Sequence, residues 1–68
     1  MHIYVNGKET AAEDGSSLER LLADLKISDQ TKGIAVAVND AVKPRAAWPD
    51  ATIREGDRIE IIRAVQGG

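Results

Sequence analysis

Only one stretch of this 68-residue chain repeats apolar residues at helical spacing, and that limits the folds available to it. The residues stand at positions i, i+3, i+4 and i+7 and therefore share one stripe of a helix. They are Leu18, Leu21, Leu22 and Leu25. A single helix with one apolar stripe has to cover one face of a single sheet.

The start of this helix carries a capping signal. Ser16-Ser17-Leu18-Glu19 fits a capping box, which predicts Ser16 as the N-cap and Glu19 as the residue that reaches back to it. We expect the helix to end near Lys26.

Strand patterns lie on both sides of the helix. Residues 2–6 are predicted to form the first strand and residues 8–13 the second. Asn6-Gly7 between them is typical of a type I′ turn, which needs positive φ at both central positions. From Ile34 to Val38 bulky residues alternate with alanines at strand period.

The remaining signals are short. Asn39-Asp40 predicts a turn, and residues 42–45 a short edge strand limited by Pro44. Glu55-Gly56-Asp57 predicts a tight turn into a last strand at 59–63. Trp48 is interpreted as a lid over the edge of the core.

This order of elements predicts an α+β fold of the β-grasp, ubiquitin-like, type. Its mixed sheet has four to five strands, with the last strand beside the first, and is covered by one main helix. We divide the chain into a domain at 1–63 and a flexible C-terminal Gly-Gly tail at 64–68.

Composition narrows the classes of function. The chain has no Cys, so it has neither a disulfide nor a thiolate nucleophile. A net charge of −2 gives no reason to expect nucleic-acid or membrane binding. The core of so short a chain leaves little room for an enclosed pocket, and we find no catalytic constellation and no metal-ligand cluster. We expect a cytoplasmic protein that is monomeric when free and is not an enzyme.

The sequence ends in Gly67-Gly68. Because glycine lacks a Cβ atom, such a tail is slim enough to be threaded into a narrow active site on another protein. A frayed tail or a cloning scar is the alternative explanation.

Several motifs together resemble the thiamine-biosynthesis sulfur carriers, which are small ubiquitin-like proteins. Besides Asn6-Gly7 and the Leu-rich helix, they are Val38-Asn39, Val42-Lys43-Pro44-Arg45, Trp48, Gly56-Asp57-Arg58-Ile59-Glu60-Ile61 and Ala64-Val65-Gln66-Gly67-Gly68. The resemblance covers the whole chain. Lys43 departs from it, because that position is usually aliphatic in the family.

The resemblance implies a carrier without a bound cofactor. A partner, an E1-like adenylating enzyme, would use ATP and Mg²⁺ to adenylate the carboxylate of Gly68. A persulfide donor protein would then convert it to a thiocarboxylate, which passes its sulfur to thiazole synthase. The tail threaded into the partner would be Val65, Gln66, Gly67 and Gly68.

Strand alternation also predicts a docking surface. If Ile59 and Ile61 face the helix, Ile62 has to point to the opposite face. The predicted apolar patch there consists of Ala35, Ala37, Ile62 and Ala64. A bulge that turns Ile62 inward is the alternative.

Other functions stay open at this point. A molybdopterin-synthase-type carrier shares the fold and the Gly-Gly ending, and a protein-conjugating ubiquitin-like modifier shares the tail. Residues 36–61 also look like part of an S4 RNA-binding domain, although such a module should be basic.

Overall fold

The computed structural model describes residues 1–26 and 33–63, without the side chain of Arg63. Strands β1 and β2 are followed by one α-helix, α1, and then by β3, β4, a 3₁₀ turn and β5. Their bounds are His2–Val5 for β1, Lys8–Ala11 for β2, Leu18–Asp24 for α1, Ile34–Val38 for β3, Ala41–Lys43 for β4, Arg45–Ala47 for the 3₁₀ turn and Arg58–Arg63 for β5.

One mixed sheet contains all five described strands, in the order β2-β1-β5-β3-β4. β5 runs parallel to β1 and antiparallel to β3, whereas the pairs β1–β2 and β3–β4 are antiparallel hairpins. The last strand therefore lies at the centre beside the first, and the predicted β-grasp arrangement is confirmed.

Two-residue turns close both hairpins. Asn6 and Gly7 have φ of 52° and 82°, and Asn39 and Asp40 have φ of 50° and 71°. Both central residues of each turn are thus in the left-handed region that a type I′ turn requires, as the Asn-Gly signal predicts for the first turn. These turns fix the register of each hairpin and hence which side chains share a face.

The helix begins one residue later than predicted. Ser17, not Ser16, is the N-cap, and its Oγ accepts a hydrogen bond from the Arg20 N–H at 3.1 Å. Ser16 is buried, and its carbonyl accepts a bond from the Ile53 N–H at 2.8 Å. Ser16 thus pairs through its backbone with the segment before β5, next to the bridge between Ser17 and Thr52. The helix ends at Asp24, and Leu25 is its C-cap.

The core lies between α1 and one face of the sheet. It joins the helix stripe to side chains of β1, β3, β5 and the loops. Its buried members are Ile3, Leu18, Leu21, Leu22, Val36, Trp48, Ile53, Ile59 and Ile61.

Trp48 lies at the edge of this core, as predicted. It is 7% exposed, and its Nε1–H donates to the carbonyl of Lys43 at 2.8 Å. The guanidinium carbon of Arg45 lies 5.2 Å from the centre of its ring, within the range of a cation–π contact. The indole therefore links β4 to the core.

Candidate functional site

The central strand β5 carries the chain from the core toward the C-terminal segment. Its side chains alternate between the two faces of the sheet: Ile59 is 1% exposed and Ile61 9%, whereas Ile62 is 55% exposed. Ile62 thus points away from α1, and the alternative of an inward bulge is wrong. We call the face of the sheet opposite α1 the outer face.

The outer face holds every exposed large hydrophobic side chain among the described residues. They are Tyr4, Val42 and Ile62. Strand alternation places Tyr4 and Ile62 opposite the core, because their neighbours Ile3 and Ile61 are buried against α1. Val42 shares this face because it lies opposite Ala37 in the β3–β4 hairpin. Within the described ranges no second helix covers this face. These side chains make the outer face the candidate protein-binding surface of the described residues.

The predicted patch is partly realised. Ala35 is exposed and lies directly opposite Ile62 in the β3–β5 pairing. Ala37 also faces outward but is only 7% exposed, which corrects the expectation that it is an open part of the patch. Glu60 and Val42 lie opposite it on either side and shield its single methyl group. Ala64 lies outside the described residues.

Val42 is an outer-face residue that the sequence prediction missed. It is 71% exposed and lies opposite Ala37 in the β3–β4 hairpin. The signal was present, because a two-residue turn at Asn39-Asp40 fixes Val42 opposite Ala37. We define the outer patch as Ala35, Val42 and Ile62, on three neighbouring strands.

A shallow open groove of about 540 Å³ lies next to the outer patch, beside the two hairpin turns. Its lining combines an aromatic ring with charged groups: Tyr4, Asn6, Gly7, Asp40, Arg58, Ile59 and Glu60. Arg58 and Asp40, which both line the groove, form an exposed ion pair of 3.2 Å. Glu60 has no ion pair with any other described residue, so it leaves a net negative charge at this place.

The described residues hold no group of three or more His, Asp or Glu side chains that suits a metal ion. No described helix is long and apolar enough to cross a membrane. The predicted tail, Val65 to Gly68, lies outside the described residues, so the described part of the site consists of β5 and the outer face.

Comparison with known proteins identifies the family. A sequence model of the ThiS family matches residues 2–68. The chain is 30% identical to the sulfur carrier protein ThiS of Thermus thermophilus over 97% of this chain and 98% of that protein. The crystal structure of the thiamine biosynthesis protein ThiS from Geobacter metallireducens superposes with a TM-score of 0.85, at 30% identity and with both chains fully covered.

The chain is also similar to part of a longer protein that is not named as a sulfur carrier. The chain is 35% identical over its whole length to a thiazole synthase of Magnetococcus marinus, but it spans only 20% of that protein. A segment similar to this chain thus occurs within a longer thiazole synthase. Taken together with the sheet order and the matched range, these similarities show that the chain belongs to the ThiS family.

Proposed function

We propose that this chain is a sulfur carrier of thiamine biosynthesis and that Gly68 carries the sulfur. The observation that supports this most strongly is the match to the ThiS family over residues 2–68, which includes the Gly-Gly ending. On this proposal the protein is a co-substrate of other enzymes and not a catalyst.

The chemistry follows from the low reactivity of a carboxylate. The Gly68 carboxylate attacks the α-phosphorus of ATP on an E1-like partner that also binds Mg²⁺, and pyrophosphate leaves. A persulfide sulfur then attacks the acyl carbon of the adenylate, and AMP leaves. Cleavage of the resulting acyl disulfide by a thiol releases the thiocarboxylate, whose sulfur is nucleophilic and is passed to thiazole synthase.

The domain contributes position and reach. Five residues follow β5, from Ala64 to Gly68, and such a segment reaches at most about 17 Å when fully extended. The partner must therefore hold the domain close to its active site. The outer patch includes Ile62, two residues before this segment in the sequence, and is the surface we assign to that contact.

Thiazole synthase is the acceptor that the comparisons favour. The similar segment within the longer Magnetococcus marinus thiazole synthase supports a role next to that enzyme. We propose that the outer patch serves the adenylating enzyme and thiazole synthase in turn, because a single tail cannot occupy two active sites at once.

Mass spectrometry of the intact protein tests the function. Protein purified from its native host without alkylating agents should contain a fraction heavier by the oxygen-to-sulfur difference, and fragmentation should assign that difference to Gly68. Incubation of the unmodified protein with ATP, Mg²⁺ and the adenylating enzyme of the same organism should give an acyl-adenylate, a mixed anhydride with AMP, at Gly68. Absence of both products would contradict the proposed function.

A further inference from the structure

Two asparagines occupy matched places in the fold and hold β5 from its two sides. Asn6 and Asn39 are each the first residue of a two-residue turn, with φ of 52° and 50°. Each also hydrogen bonds through its side-chain amide to the backbone of β5. Asn39 binds at the beginning of that strand, and Asn6 binds near its end.

The side chain of Asn6 continues the β1–β5 pairing after β1 has ended. β1 stops at Val5, and the Asn6 N–H donates to the Ile59 carbonyl at 2.8 Å. Its Oδ1 accepts a bond from the Ile61 N–H at 2.8 Å, and its Nδ2 donates to the Ile61 carbonyl at 3.4 Å. The amide thus binds both the N–H and the carbonyl of Ile61, beyond the last residue of β1.

The turn itself does not require this amide. Glycine satisfies positive φ at the first position of a type I′ turn without any side chain. The two bonds to Ile61 are therefore an additional role of Asn6. Only Ile62 and Arg63 separate the bonded residue from the segment 64–68.

We propose that Asn6 is a positioning residue for the C-terminal tail. By holding β5 at Ile61 on the side of β1, it fixes the point from which the tail leaves the domain. Without the amide, the Ile61 N–H and carbonyl lose these bonds, this part of β5 is held only by its pairing with β3, and the adenylating enzyme has to order the end of β5 when it binds. This inference rests on the proposed adenylation of Gly68.

The test compares Asn6→Gly with Asn39→Gly. Both substitutions keep the turn and remove an amide bonded to β5, but Asn39 Oδ1 accepts from the Arg58 N–H, at the end of the strand far from the tail. The rate of ATP–pyrophosphate exchange by the adenylating enzyme of the same organism is measured as a function of carrier concentration, which gives KM and kcat for each carrier variant. We expect Asn6→Gly to raise KM about five-fold and to leave kcat unchanged. The rise in KM reflects the free energy needed to order the end of β5 when the carrier binds.

A conservative variant and a partner-free measurement complete the design. Asn6→Asp keeps an acceptor for the Ile61 N–H and tolerates positive φ, but it loses the donor to the Ile61 carbonyl, so its KM should lie between those of the unaltered protein and Asn6→Gly. In the free protein, Asn6→Gly should speed the hydrogen exchange of the Ile61 amide, and Asn39→Gly should not.

Each other result would overturn the assignment. If Asn6→Gly speeds hydrogen exchange of the Ile61 amide but leaves KM unchanged, the bonds between Asn6 and Ile61 do not position the tail. An equal rise in KM for Asn39→Gly would show a general loss of stability. If the unaltered protein supports no ATP–pyrophosphate exchange, that result instead contradicts the proposed function, and the positioning role with it.

Discussion

Ala35 and Ile62 lie directly opposite each other in the β3–β5 pairing, on the face of the sheet that α1 does not cover. Because alanine has only a methyl group, it leaves the Ile62 side chain 55% exposed. One position along the same pairing, Val36 and Ile61 are also opposite each other, but they are 1% and 9% exposed and belong to the core. Two consecutive isoleucines of β5 therefore have opposite surroundings.

Replacing each of these isoleucines by alanine should separate their roles in stability. We expect Ile61→Ala to lower the free energy of unfolding by about 2–4 kcal/mol, because it removes buried methyl groups and leaves a cavity. Ile62→Ala removes largely exposed atoms and should cost about 0.5 kcal/mol or less. Urea unfolding followed by the fluorescence of Trp48, the only tryptophan, measures both. Equal losses would show that Ile62 is packed in the core.

Introducing a charge at Ile62 should weaken partner binding more than it weakens the fold. We expect Ile62→Asp to reduce affinity for the adenylating enzyme at least about ten-fold, since a carboxylate in an apolar contact has to lose its water. Titration calorimetry and a melting curve make the comparison.

Ala11→Asp provides the matched control for that variant. Ala11 is exposed and lies on the same outer face, opposite His2, but on the edge strand β2. The Ala11→Asp substitution adds the same charge at a distance from the outer patch and should leave the affinity for the adenylating enzyme unchanged. Normal binding by Ile62→Asp with a large drop in Tm would contradict the assignment of the outer patch.

The corrected N-cap gives a second matched pair. Ser17→Ala removes the acceptor of the Arg20 N–H and should cost about 1 kcal/mol of stability. Ser16 acts through its backbone, which alanine keeps, so Ser16→Ala should cost about 0.5 kcal/mol or less. Chemical unfolding of the two variants side by side decides between them. A larger loss for Ser16→Ala would restore Ser16 as the N-cap.

The elements of the fold could be predicted from the sequence because their signals are local and agree with one another, whereas the order of the strands is an inference that no local signal determines. Asn6-Gly7 fixes the first hairpin, the leucine stripe gives one helix, and the alternation from Ile34 to Val38 gives a strand with one large and one small face. A single helix then leaves one sheet to be covered. These features need no knowledge of distant contacts.

The errors concern positions that distant residues determine. Ser16 looks like an N-cap until the Ile53 N–H pairs with its carbonyl, a contact between residues far apart in sequence. Ala37 faces outward as alternation predicts, but Glu60 and Val42 on neighbouring strands decide how exposed it is. The amide bonds of Asn6 to Ile61 depend on the parallel pairing of the first and last strands, which a turn signal does not reveal.

The indole of Trp48 should contribute through its N–H as well as its ring. Trp48→Phe keeps an aromatic side chain but leaves the Lys43 carbonyl without its donor, and we expect a loss of about 1 kcal/mol plus the cost of the smaller ring. Tyr4→Phe is the aromatic control: Tyr4 is 41% exposed, and its change should have little effect. Circular dichroism follows both, since the fluorophore is lost. Equal stability of the two variants would show that the Lys43 bond is dispensable.

Extending the tail should separate docking from adenylation. One alanine appended after Gly68 moves the carboxylate by about 3.5 Å and adds a side chain where the partner is expected to admit only glycine. We expect ATP–pyrophosphate exchange to be lost while the melting temperature stays the same. Because the outer patch is intact, the extended protein should still bind and inhibit the adenylation of the unaltered carrier competitively. Undiminished exchange would contradict the role of Gly68, and loss of inhibition would show that the tail, and not the outer patch, supplies the binding energy.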